Sequence, residues 1–175
     1  IKFYDKELLT RVAKESGFCE EMIECHDERP TNSFLYNLVM DTYSFGYNSS
    51  SFMDMPISHK IFLAQFDTIK KIAQEGPCVI VERCSETILP DAVNIFVYAD
   101  LEYRIGRIMK VHPELSRYSL KAHVLSVDKR RQAYCDACTP GKWGKMETYD
   151  ICLNSGLVGL EGCLGVALEY IKGVK

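Results

Sequence analysis

No apolar stretch in this sequence approaches the roughly 18 residues that a membrane-crossing helix needs, and no signal peptide is visible, so no helical membrane span is expected. The chain also lacks a positive charge balance. Its net charge of −3 gives no global basic field for nucleic acid, and any cationic patch must be local. The four histidines (His26, His59, His112, His123) are scattered without metal-ligand spacing, and nothing resembles a nucleophile elbow. No glycine-rich dinucleotide fingerprint occurs. G-x-x-x-x-G-K-[ST] is absent too: Gly141-Lys142 is followed by Trp143 and lacks the upstream glycine, so it cannot form that phosphate cradle.

What is present describes an ordinary folded domain. At 175 residues the chain suits one domain, with room for a small inserted lid, and 47% apolar residues supply a core. Cys78, Cys152 and Cys163 sit in apolar runs, and Cys19 and Cys25 in helical stretches, so these thiols read as small hydrophobes. Lysine-rich helices with α/β patterning favour a reduced, cytoplasmic protein. The one C-x-x-C, Cys135-Asp136-Ala137-Cys138, has no second ligand pair at convincing spacing, although Cys152 or His123 could be recruited. It reads as two unremarkable thiols on a helix.

Periodicity gives the order of elements. Ile1–Asp5 reads as a strand, followed by a helix over Lys6–Ser16 that Gly17 stops. Glu20–Glu28 reads as a short acidic helix, Thr31–Tyr47 as partly helical, and Gly46–Met55 as a turn-rich loop. A helix over His59–Gln74 carries Ile61, Phe62, Ala64, Phe66, Ile69 and Ile72 on one stripe and ends at Gly76-Pro77. Buried strands over Cys78–Val81 and Asn94–Ala99 flank a short segment at Cys84–Leu89. A helix over Leu101–Val111, capped by Asp100, follows. One or two helices over Leu115–Ala137, a last strand Tyr149–Asn154 and a last helix Leu160–Lys172 complete the chain. This alternation predicts an α/β fold, a doubly wound parallel sheet with anionic ligands at the carboxyl ends of its strands.

The chemistry-bearing residues follow from that edge. Arg83 comes directly after a strand, where a planar guanidinium can give a phosphate two charge-assisted hydrogen bonds. Its bland alternative is a salt bridge with Glu82 or Glu86. Arg104 and Arg107, three residues apart, share a helix face, and Lys129-Arg130-Arg131 forms a dense basic run; both fit a solvated face equally well. Asp5 ends the first strand and suits either a ribose or base contact or a plain helix cap. Arg11 lies one or two turns into the first helix.

These residues, in this order, resemble the cytidylate kinase-like family of P-loop nucleoside monophosphate kinases. The resemblance rests on Glu82-Arg83-Cys84, Pro90-Asp91-Ala92, the strand Asn94–Ala99 and the helix Glu102-Tyr103-Arg104-Ile105-Gly106-Arg107. It also rests on Phe3-Tyr4-Asp5 with Arg11, on Asp128–Arg131, on Lys142-Trp143-Gly144, and on Tyr149–Asn154. It runs along nearly the whole chain and is weakest at Thr31–Met55.

The resemblance implies a single P-loop-type kinase domain over 1–175, with the acceptor-nucleotide side in 1–76 and a helical lid in 112–148. It implies phosphoryl transfer from ATP, with Mg²⁺ bridging its phosphates, to a pyrimidine monophosphate such as CMP or dCMP. Arg83 and Arg11 would hold the acceptor phosphate and Asp5 would help position the nucleoside. Arg104, Arg107, Arg130 and Arg131 would gather over the moving phosphoryl group as the lid closes and excludes water. Two departures stand out. The family's first strand, P-loop and catalytic lysine are expected ahead of Ile1. The family's Gly-Arg-Asp is Glu82-Arg83-Cys84 here, which keeps the arginine, loses the carboxylate that reads the nucleoside, and adds the charge of Glu82. Two other readings stay open: a nucleotide-binding protein of kinase fold that transfers no phosphate, and a P-loop kinase for another small molecule. Partners other than nucleotide substrates are not implied, and the oligomeric state is left open.

Overall fold

The computed structural model describes residues 1–5, 7–19, 21–23, 57–82, 84–139 and 142–174. The expected helix Thr31–Tyr47, the Gly46–Met55 loop and most of the expected Glu20–Glu28 helix lie outside them. The chain folds as two compact units, Ile1–Pro90 with Ala133–Lys142, and Asp91–Gln132 with Trp143–Lys175.

In the first unit, β1 (Lys2–Tyr4) pairs in parallel with β2 (Cys78–Ile80), in the register Lys2↔Cys78, Phe3↔Val79 and Tyr4↔Ile80. Helix α1 (Glu7–Ser16) leaves the carboxyl end of β1 and runs to Gly17, whose φ of 78° belongs to the left-handed region that ends helices. Helix α2 (Ile57–Gln74) packs on α1. Their facing stripes bury Leu8, Val12 and Ala13 against Ile61, Phe62, Phe66, Ile69 and Ile72, the spacing read from the sequence, with Leu63 and Thr68 also enclosed. The four-residue α3 (Ser85–Ile88) adds Ile88 to this core.

In the second unit, β3 (Ile95–Tyr98) pairs in parallel with β4 (Ile151–Asn154). Between them in sequence come α4 (Leu101–Val111) and α5 (Arg117–Cys138), a single helix whose last turns belong to the first unit. Ile105, Leu120 and Val124 form a core between α4 and α5, with Leu101 and Ile108 packed against it. Phe96 stacks on Tyr149 at 4.7 Å between centroids and meets the edge of Trp143 at 5.7 Å. Gly144 closes that turn at a φ of 74°, and a Cβ there would stand 3.6 Å from the Phe96 ring. Helix α6 (Ser155–Gly173) follows β4 directly. The Asn154 side chain caps it, accepting from the amides of Gly156 and Leu157. Non-helical Gly159, at φ 70° and ψ 177°, breaks α6 after one turn. The longer part therefore begins at Leu160, where periodicity places the helix.

Parallel pairing joined by helical crossovers is what the α/β alternation predicts. Among the described residues it forms two two-stranded sheets rather than one continuous doubly wound sheet. The strands are accordingly less enclosed than expected: Val79 and Val81 are about half exposed, as are Val97 and Tyr98. Asp100 stands at the head of α4, but its side chain makes no cap hydrogen bond there.

Candidate functional site

Asp5 is exposed immediately past β1, and its backbone carbonyl accepts from the Leu8 amide at 2.9 Å, opening α1. Its carboxylate thus stands at the carboxyl end of a parallel strand, as expected. Arg11 is placed differently. One and a half turns along α1, its guanidinium meets Glu75, which lies before β2 and so at the amino end of the strands. Arg11 Nη2 donates to Glu75, Nη1 reaches the same carboxylate at 3.2 Å, and Nε donates to Glu15 at 2.8 Å. Lys2 and Lys71 complete the network. Hydrogen bonds from Arg11 and Lys2 pull the Glu75 carboxyl down to about 2, and Arg11 is held charged in return. The anions that Arg11 holds in this structure are the protein's own.

Arg83 lies outside the described residues, but its neighbours are clear. The Glu82 carboxylate folds back along the chain and accepts from the Cys84 amide at 2.8 Å and from the Ser85 amide. Its charge is spent on the start of α3, whereas the sequence pattern puts that charge beside a ligand. Glu86 is half-buried on α3. Burial first, then repulsion from Glu82, pushes its carboxyl up to about 7.

Cys84 turns inward. Its Sγ lies 3.5 Å from Cys135 Sγ, and Cys84, Cys135 and Cys138 are all nearly inaccessible. Hydrogen bonding to Cys135, then to Cys138, then burial, push the Cys84 thiol well up. The two thiols of the C-x-x-C lie on a helix, as read, and Cys84 from a distant segment packs beside Cys135. The signal in the sequence is Cys84 standing where the resembled family has Asp, a few residues past a strand, but spacing cannot say which helix it meets.

The basic residues of α4 and α5 are arranged by the way the helices cross. Arg104 forks onto Asp128, with Nη1 to Oδ2 at 2.8 Å and Nη2 to Oδ1 at 2.6 Å, a partly buried bidentate pair that keeps the guanidinium charged. Glu102 is tied to Arg117. Glu102 and Arg104 stand about 200° apart around α4, while Arg117 and Asp128 are about 16 Å apart along α5. The two ties thus join opposite flanks of α4 to well-separated points along α5. Arg107, exposed, follows Arg104 on the same flank by its three-residue spacing, and Arg131 shares the Asp128 side of α5 likewise. Arg130, about 200° round the helix from Asp128, is exposed on another face. Helical spacing therefore keeps Arg107 beside Arg104 on α4 and Arg131 beside Asp128 on α5, and turns Arg130 away from Asp128.

Among the described residues, no group of three His, Cys, Asp or Glu could hold a metal ion, and no helix is long and apolar enough to cross a membrane.

A mixed helix–strand fold with parallel strand pairs, an acid at one strand end and an arginine-bearing helix pair defines the class. The sequence model of the cytidylate kinase-like family matches residues 1–157, and the chain belongs to that family. A crystal structure of an uncharacterized protein from Eubacterium ventriosum ATCC 27560 is similar at a TM-score of 0.61 and 24% identity, covering 82% of this chain and 94% of that one, a likeness of fold alone. No curated protein matches. Membership carries a kinase-like character, a transferase of the nucleotide kinase type.

Proposed function

We propose that the protein transfers the γ-phosphoryl group of ATP to a nucleoside monophosphate, with CMP or dCMP the first acceptors to try. The family match over residues 1–157 carries this reading. The arginines of α4 and α5 support it. Phosphoryl transfer spreads negative charge over oxygens that arginine forks can bind without any covalent chemistry by the protein. In this reading Arg107 and Arg131 approach the moving group. Arg104 contributes the donors that its fork to Asp128 leaves over, and Arg130 joins only if the 112–148 lid moves. Asp5 and Arg83 serve the acceptor side within a single kinase domain. Arg11 can join them only by leaving Glu15 and Glu75.

ATP would bring Mg²⁺ to its phosphates. The described residues include no group of three His, Cys, Asp or Glu that could hold the ion.

A specific observation favours a second reading. Where the family places a nucleoside-reading carboxylate, this chain has Cys84 buried among thiols. A P-loop kinase for another small acceptor, or a nucleotide-binding protein that transfers nothing, accommodates that loss. The test is ADP release by the intact protein with ATP, Mg²⁺ and a panel of monophosphates. Turnover with a pyrimidine monophosphate is expected. Turnover only with another acceptor selects the small-molecule kinase. Nucleotide binding with no turnover on any acceptor sinks the enzyme reading.

A further inference from the structure

Three buried sulfurs from two segments 51 residues apart are unusual in a chain whose other thiols are scattered. Cys84 opens α3 and is 3% exposed. Cys135 and Cys138 lie one turn apart on α5, at 1% each. Hydrophobic packing alone would place them among aliphatic side chains and would not require sulfur to face sulfur.

We propose that Cys84 and Cys135 form an oxidative modification site, closed by a peroxide into a reversible disulfide that ties the turn after β2 to the end of α5. The Sγ atoms stand 3.5 Å apart and need about 1.5 Å of approach to reach bonding distance. The chemistry balances with hydrogen peroxide as oxidant. The closed pocket keeps the Cys84 thiol protonated, so the step belongs to a local opening in which one thiol of the pair gives its proton to water and the resulting thiolate attacks a peroxide oxygen. The O–O bond breaks, and the departing hydroxide takes up a proton as water, leaving a sulfenic acid. The second sulfur then attacks the sulfenic sulfur, the S–O bond breaks, and a second water leaves. Two thiols lose two electrons and two protons, and one peroxide becomes two waters.

Enclosure selects the oxidant. A peroxide is small enough to enter during local opening, whereas a bulky disulfide would have to leave a mixed adduct on a sulfur with almost no exposed surface. Cys19 is exposed and serves as the internal contrast. Cys138 offers a third sulfur beside the pair.

The experiment treats the folded chain with hydrogen peroxide, alkylates the remaining thiols in denaturant, and maps the digest by mass spectrometry. A Cys84–Cys135 linked peptide is expected, two hydrogens lighter than the sum of its reduced halves and separated by dithiothreitol. Cys138→Ser should retain the link and Cys135→Ser should abolish it, with Cys135→Ala replacing the latter if the buried hydroxyl unfolds the chain. The proposal is overturned if both cysteines remain fully alkylated, if they are oxidised without linking, or if links through Cys19 are equally abundant. A stoichiometric zinc ion in the untreated protein, shielding all three thiols until chelated, would overturn it as well. None of these readouts depends on kinase activity.

Discussion

Glu86 sits on a four-residue helix whose first amides are already bound by the Glu82 carboxylate, so its own charge is poorly accommodated. Its folded pKa, about 7, stands above the ordinary 4.5. Raising the pH from the lower to the higher value ionises this group in the unfolded chain but not in the folded one. The unfolded state is thereby favoured, and Glu86 acts against stability, fully so above about pH 7. Glu86→Gln should therefore raise the urea midpoint at about pH 8 and leave it nearly unchanged at about pH 4. Equal midpoints for both proteins at the higher pH would show that Glu86 is well solvated. At this scale the sequence is half legible. Asp5 lies at a strand end because a strand-then-helix pattern fixes where the strand must stop. The distant partners of Arg11 and Cys84 are not legible. Each is chosen by geometry over residues that spacing cannot rank: Glu75 is 64 residues from Arg11, and Cys135 is 51 from Cys84.

Helix α5 shows what a hydrophobic pattern can and cannot give for an element. The pattern comes close to its bounds, and the apolar positions Leu120 and Val124 are buried against Ile105. The way α5 crosses α4 is not readable, because two polar ties on opposite flanks set it: Arg104 to Asp128 and Arg117 to Glu102. The first is the stronger anchor, being bidentate and partly buried, while the second is exposed and contributes little. Asp128→Ala should lower unfolding free energy by about 1–2 kcal/mol, as expected for charge-assisted bonds partly open to water. Glu102→Ala should fall within about 0.5 kcal/mol of the parent. Urea denaturation of the two variants decides this, and equal losses would mean that the fork contributes no more than a surface pair.

For the whole molecule, alternation of strands and helices suffices to predict parallel pairing, since parallel neighbours require crossover connections. It also predicts strands covered on both faces, and there the structure differs. In the first unit Phe3 and Val79, partners in the β1–β2 register, are 58% and 49% exposed. In the second unit α6 carries more of the exposed apolar side chains than any other element, Leu157, Leu160, Leu164 and Leu168 among them. A hydrophobic pattern states which residues seek burial but not what covers them, so this part of the fold is illegible. Uncovered aliphatic side chains in this number make the surface adhesive to apolar probes and to other copies. The chain should therefore bind anilinonaphthalene sulfonate under native conditions, with fluorescence well above that of an ordinary folded protein, and should self-associate as concentration rises in sedimentation. Leu160→Glu with Leu164→Glu should reduce both signals while preserving the circular dichroism spectrum, because both leucines are already largely in water. A native chain that neither binds the dye nor associates would mean that these side chains are covered in solution, and the exposed apolar face of α6 would have to be abandoned.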